Sequence, residues 1–209
     1  MKEVWNFLKE KSNFAEKRKA VDDFNKKNKW RKRGLCMMPV KYGNGYNLVM
    51  LEQAVAVVSA YANEGSVIIH QGGVDMGQGV ITQCTQIASY VLNVPMEMIQ
   101  VEMPKTSVIP NPTSTGGSTG TAYNGEAVRR ACEDLRGRLL EFGYKMLNEN
   151  GNAWCKGNGI DFWNYGKEGW SAATPQTDGT AKLVWQNLVT MAWQNRVSLV
   201  STFTAPIGG

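Results

Sequence analysis

The chain has one histidine, His70, and four cysteines, Cys36, Cys84, Cys132 and Cys155, spread through 209 residues with no CxxC pair. Zinc and iron–sulfur sites need clustered thiolates or imidazoles, so no side-chain metal centre is expected. The same scarcity removes a Ser–His–Asp or Cys–His set, and the scattered acids form no convincing carboxylate pair. No catalytic residue is assigned. Long apolar runs are missing too: no window approaches the roughly 18 residues of a membrane span. The lysine-rich N-terminus lacks the apolar stretch of a secretory signal. A cytoplasmic protein with no membrane partner is expected.

Hydrophobic residues make up 43% and charged residues 20%, the composition of an ordinary globular domain. The net charge of +5 is uneven, because residues 1–34 alone hold 12 Lys/Arg against 5 Asp/Glu. A basic end raises nucleic acid as a partner. However, Val4, Phe7, Leu8, Phe14, Ala15, Val21 and Phe24 recur at helical spacing, which favours amphipathic helices with a solvated lysine face. Nucleic acid is not the favoured partner. Asn13 followed by Glu16 has capping-box spacing and predicts a helix running to about Asn28.

Tyr46 to Ala62 is mostly β-favouring, "ANEGS" is a turn and "SVIIH" a returning strand, so a hairpin is predicted. Helices are predicted over about 78–92, 123–147 and 181–195, with short strands at "MIQVEM" and "VSLVSTF". Residues 148–179 show no period and read as a surface insertion carrying Trp154, Trp163 and Trp170. The prediction is an α+β fold: a hairpin and short mixed sheet packed with about four helices, in one lobe spanning 1–209.

Two loops carry the functional signal. "HQGGVDMGQGV" (70–80) contains Gly72, Gly73, Gly77 and Gly79 between a strand and a helix. It lacks the lysine of GxxxxGK[ST], since Gln78 stands there, and its adjacent first glycines do not fit GxGxxG. No ordinary βαβ unit is expected around it. A glycine turn entering a helix exposes N–H groups to an anion, and a tight turn shaped only for packing explains it as well. "STGGSTG" (114–120) again offers small residues, hydroxyls and free N–H groups before a helix. Two such loops could converge on one polyoxygenated ligand.

"GGVDMGQG" resembles the GG-x-x-MGQG signature of the molybdenum hydroxylases, the xanthine dehydrogenase and aldehyde oxidase family. "FAEKRKAVDDFNKKNKWRKRGLCMMPVKYG", "VIPNPTSTGGSTGTAYNGEAV" and "WQNLVTMAWQNRVSLVSTF" resemble further segments of that family in the same order. The resemblance covers nearly all of the chain apart from 148–179. It implies a molybdenum–molybdopterin cofactor, whose metal is held by the pterin's dithiolene sulfurs rather than by cysteine. Gly77, Gln78 and Gly79 would lie against it beside the metal's oxo group. Gly116, Gly117, Ser118 and Thr119 would bind the pterin and its phosphate.

The resemblance also places Tyr46 where the family has a substrate-contacting phenylalanine, and Asn47 where it has a threonine. Gly116 and Gly117 stand where two alanines are common, with Gly117 beside the substrate. From the residues alone, Tyr46 reads as a half-buried strand residue. The family's general-base glutamate lies in a later GEPP-type motif, and its FAD and 2Fe–2S clusters lie on other domains, so this chain alone is expected to be inactive. Expected partners are those remaining domains or subunits, a purine, other N-heterocycle or aldehyde substrate, and a second copy of the parent enzyme in a homodimer. A catalytically silent cofactor-binding or interaction module is the competing class.

Overall fold

The computed structural model describes residues 2–159 and 179–206. The chain forms two compact units, Met1–Gly43 and Asn44–Gly209.

The first unit holds helices α1 (Lys2–Lys11) and α2 (Phe14–Lys27). Asn13 does not cap α2 with its side chain, contrary to the capping-box expectation. It sits in the left-handed region (φ 51°, ψ 43°) with no side-chain cap bond, and its N–H donates to the Glu10 carbonyl at 3.0 Å. Asparagine tolerates that conformation, so Asn13 works as the corner between two helices. After α2, the Asn25 side chain accepts the Arg33 N–H at 2.8 Å and donates to its carbonyl at 2.9 Å. The Arg33 guanidinium thereby lies 3.9 Å from the centre of the Phe24 ring. The apolar stripe of α1 stays open, with Val4 67% and Phe7 62% exposed.

The second unit is a four-stranded sheet in the order β3-β2-β1-β4. Its strands are β1 (Gln53–Ala60), β2 (Val67–Gln71), β3 (Ile99–Val101) and β4 (Val200–Pro206). β1 pairs antiparallel with β2 and β4, giving the expected hairpin, and β2 runs parallel to β3. The helices are α3 (Val80–Leu92), α4 (Glu126–Asn150), α5 (Asn152–Gly157) and α6 (Gly179–Gln194). Six helices therefore stand among the described residues, where about four were expected. The α+β class holds. The predicted insertion at 148–179 falls largely outside the described residues; its beginning completes α4 and forms α5.

Two sequence expectations are corrected. A βαβ unit does surround the glycine loop: β2, α3 and the parallel β3 make it, although β3 is only three residues long. The first strand starts at Gln53 rather than Tyr46. Residues 49–51 form a single tight helical turn, and the Gly45 N–H donates to the Gly117 carbonyl at 2.9 Å. The main chain here joins a loop rather than a strand.

One face of the sheet carries the core. Ala54, Ala56, Val58 and Ala60 alternate inward on β1, with Val67 and Ile69 on β2. Val80, Cys84, Ala88 and Leu92 repeat every four residues along α3, one face of a helix. Ala127, Ala131, Leu135 and Leu139 do the same on α4, with Cys132 buried beside them. Alanine and cysteine at these positions let the two helices approach closely over the sheet. The buried indole N–H of Trp185 on α6 donates to the Gly65 carbonyl at 2.7 Å, fastening that helix to the hairpin turn.

Candidate functional site

The glycine loop leaves the carboxyl end of β2 and enters α3, the place where open α/β sheets form ligand crevices. Gln71, fully buried, shapes its entry. Its side-chain oxygen accepts the Gly73 N–H at 2.5 Å and its amide donates to the Gly73 carbonyl at 2.8 Å. A Cβ on Gly73 would lie 2.6 Å from Asn124 Nδ2 and 2.9 Å from Gln71 Oε1, so any larger residue would have to push both side chains aside. Gly77 and Gly79 hold positive φ of 101° and 79°, which a side chain would strain.

Asp75 closes the turn. Its carboxylate accepts the N–H groups of Gly77 at 2.8 Å and of Gly79 and Ile81 at 3.3 Å each. Those bonds, Gly77's first, hold its pKa below the ordinary value. The start of α3 therefore already has an anion, supplied from within the chain. This changes the picture drawn from sequence, where those amides were open to a ligand. Gln78 is folded back on the same loop: its oxygen accepts the Met76 N–H at 2.6 Å and its amide donates to the Val74 carbonyl at 2.7 Å. Each end of an amide can make a second bond, so exposed Gln78 keeps one acceptor site and one donor for a ligand.

The second loop closes in from the other side. The Val74 N–H donates to Thr115 Oγ1 at 2.9 Å, and a Cβ on Gly72 would lie 2.8 Å from Pro112. Gln83 adds a bridge, donating to the Gln78 carbonyl at 3.2 Å and accepting the Thr121 hydroxyl. Gly117 and Ser118 both adopt the left-handed region (φ 60° and 58°). Buried Thr119 turns its N–H and hydroxyl to the Gly116 carbonyl at 3.2 and 3.0 Å. No acceptor among the described residues meets the N–H groups of Gly116, Gly117 and Ser118. A single wider turn, Thr121–Gly125, then leads into α4, so the dipole of that long helix begins at this loop. Such wide turns recur at functional sites.

A third segment completes the group. Tyr46 Oη donates to the Ser114 carbonyl at 2.5 Å, and the Tyr46 N–H donates to Glu52 Oε1 at 3.2 Å. Burial and a hydrogen bond to Glu52 raise the pKa of Tyr123. Glu52 thus ties the approach to β1 to the turn before α4. Asn47 is exposed beside Tyr46. Deeper, burial pushes the Cys84 thiol up to about 12 and raises Cys132 as well, leaving both protonated and inert. Among the described residues no group of three or more His, Cys, Asp or Glu could hold a metal ion.

Tyr46, Gly116 and Gly117 are in direct contact, and Gly77–Gly79 join them through Val74–Thr115 and Gln83. Reading the sequence missed Gln71, Glu52 and Asn124, offered Thr115 only as one of the second loop's hydroxyls, and gave Asp75 no role. Only Asp75 had a local signal: an aspartate two residues before a glycine is the spacing of a side-chain-closed turn.

Three unpartnered N–H groups, a bare glycine pair and a helix start suit an oxyanion-bearing organic cofactor. The arrangement is that of a lobe open to such a ligand. The profile of the molybdopterin cofactor-binding domain matches residues 8–204, and the chain belongs to that family. Aldehyde oxidase 3 of Rattus norvegicus is 42% identical over 135 residues, 65% of this chain and 10% of its own. Xanthine dehydrogenase of Calliphora vicina is 40% identical over 143 residues, 68% and 10% respectively. The chain thus spans about a tenth of the length of these curated relatives. Among solved structures, quinoline 2-oxidoreductase from Pseudomonas putida 86 shares the fold at TM-score 0.55, with 16% identity over 95% of this chain and 25% of that one. CO dehydrogenase from Oligotropha carboxidovorans gives 0.52, with 20% identity over 73% of this chain and 18% of that one.

Proposed function

We propose that this chain is the cofactor-positioning part of a molybdenum hydroxylase that oxidises purines, other N-heterocycles or aldehydes. The observation that carries the reading is the open N–H series at Gly116, Gly117 and Ser118, set beside the Asp75-closed glycine loop. When bound, the molybdenum–molybdopterin cofactor supplies the oxygen-transfer and redox chemistry. Gly116, Gly117 and exposed Ser118 would donate to its oxyanion groups, with Thr119 holding their turn in shape. Gly77 and Gly79 would leave room for close approach, and Gln78 would use its remaining donor and acceptor. Tyr46, Asn47 and Gly117 would form one wall of the substrate cleft.

The general base, the 2Fe–2S clusters and FAD would come from other domains or subunits of a cytoplasmic homodimeric enzyme, so the isolated chain would not turn over substrate. Near the site, Leu48, Val49, Met50 and Met76 are each at least half exposed. An apolar rim of this kind fits contact with further protein. Among the described residues no helix is long and apolar enough to cross a membrane.

The test is molybdenum content by elemental mass spectrometry, with pterin fluorescence after acid oxidation, on the chain purified in its native assembly. Stoichiometric metal and pterin are expected, both falling when Gly117→Val fills the loop. Absence of both from the native assembly would defeat the reading.

A further inference from the structure

We infer that Tyr46 and Gly116 form one specificity-determining unit, in which the phenolic oxygen crowds the position of a Cβ at residue 116 and offers the substrate cleft a fixed hydrogen-bond acceptor. The inference rests on the reading above, in which Tyr46 lines that cleft.

The geometry is direct. A Cβ on Gly116 would lie 2.8 Å from Tyr46 Oη, 3.6 Å from Cζ and 3.7 Å from Cε1. A Cβ on Gly117 would lie 3.6 Å from Tyr46 Cε2 and 3.0 Å from the Gly45 carbonyl oxygen. The ring therefore lies across both glycines, and its oxygen stands closer to a methyl at 116 than van der Waals contact allows. Each change alone disturbs the fit: alanine at 116 would force the hydroxyl to shift, and phenylalanine at 46 leaves a gap beside the glycine.

The hydroxyl's hydrogen-bonding state is also fixed. A phenol has one proton to give, and Tyr46 gives it to the Ser114 carbonyl at 2.5 Å. Its oxygen can only accept from anything else. The main chain that carries the ring is fixed as well, the Tyr46 N–H by Glu52 Oε1 at 3.2 Å and the preceding Gly45 N–H by the Gly117 carbonyl at 2.9 Å. An acceptor held in this way favours heterocycles with a ring N–H. An aldehyde has no proton to offer it. Discrimination arises because a ligand without the matching group leaves the site's polar atom unpaired. One ordinary hydrogen bond corresponds to about a 3–10-fold preference.

Two measurements test this together. Urea midpoints of the full chain are compared for wild type, Gly116→Ala, Tyr46→Phe and the double variant, with Gly117→Ala as the second glycine probe. Gly116→Ala should lower the midpoint beside Tyr46 and recover beside Phe. Gly117→Ala should remain costly in both backgrounds, because it meets main chain and needs positive φ. An equal Gly116→Ala shift in both backgrounds overturns the pairing. In the cofactor-loaded native assembly, the kcat/KM ratio for hypoxanthine over benzaldehyde should fall about 3–10-fold in Tyr46→Phe, mainly through KM. Turnover with an unchanged ratio overturns the specificity role while leaving the enzyme reading standing. No turnover of either compound by the loaded assembly overturns the enzyme reading, and this inference with it.

Discussion

The Asp75 carboxylate accepts the Gly77 N–H at 2.8 Å and reaches on to Gly79 and Ile81, so one acid closes the glycine loop and caps α3. Replacing it with alanine removes the acceptor for all three amides. Amide exchange at Gly77, Gly79 and Ile81 should accelerate, while the middle of α3, buried through Cys84 and Ala88, stays protected. Acid titration should show the same group. A carboxyl held below its ordinary 3.8 by native N–H bonds adds stability above that value and loses it as pH falls through the lower folded value. Asp75→Asn should remove that part of the acid limb. Unchanged exchange and an unchanged acid limb would refute the capping role.

Thr115→Val tests the joint between the loops. Valine matches threonine in shape but cannot accept the Val74 N–H, now bonded at 2.9 Å. One lost hydrogen bond should cost about 1 kcal/mol in denaturant titration, and Thr115→Ser should restore most of it. The readout specific to the joint is cofactor retention, expected to fall for valine and recover for serine. Equal retention in the two variants would mean that the loops hold their positions without this bond.

Much of the frame was legible in sequence because it depends on short-range periodicity. Val80, Cys84, Ala88 and Leu92 announce the buried face of α3, and "ANEGS" between two apolar runs announces the hairpin. The glycine loops were legible from composition. What hid from the sequence depends on partners far along the chain. Strand β1 begins late because Gly45 is bonded to Gly117, and the loops meet because Val74 finds Thr115. Strand β3 was legible at "MIQVEM", but its parallel pairing with β2, which closes a βαβ unit around the glycine loop, was not. Asn13 fails differently: its capping-box spacing was present, but the left-handed corner between α1 and α2 prevailed.

Two glycines with opposite surroundings give opposite predictions. A Cβ on Gly73 would meet Asn124 at 2.6 Å and Gln71 Oε1 at 2.9 Å. Gly73→Ala should therefore destabilise by about 1–3 kcal/mol and break the buried Gln71 ring of hydrogen bonds. Gly137 lies inside α4 with nothing within 4 Å of its added Cβ. Gly137→Ala should stabilise by about 0.5–1 kcal/mol through helix propensity. Thermal or urea unfolding of the two variants side by side checks both signs.

Glu126 opens α4 and is clamped by two arginines. Arg129 binds it through Nε at 2.7 Å and Nη2 at 2.7 Å, and Arg130 adds Nε at 2.6 Å. The Arg129 bonds, followed by Arg130, hold its carboxyl down to about 2 against an ordinary 4.5. Arg130 also lies 5.2 Å from the centre of the Phe203 ring on β4, so the clamp links the helix start to the sheet. A depressed carboxyl contributes stability that is fully present above about 4.5 and lost as pH falls towards about 2. Both arginine side chains are about two-fifths exposed, 40% and 42%, so water screening limits the contribution to about 1–2 kcal/mol. Glu126→Gln should lower stability at neutral pH by that amount and flatten its fall between pH 4.5 and 2. Urea midpoints across pH 2–7 in low salt separate this from Asp75, whose ordinary value is 3.8. A Glu126→Gln profile parallel to wild type through that window would show that the clamp shapes the helix without storing pH-dependent stability.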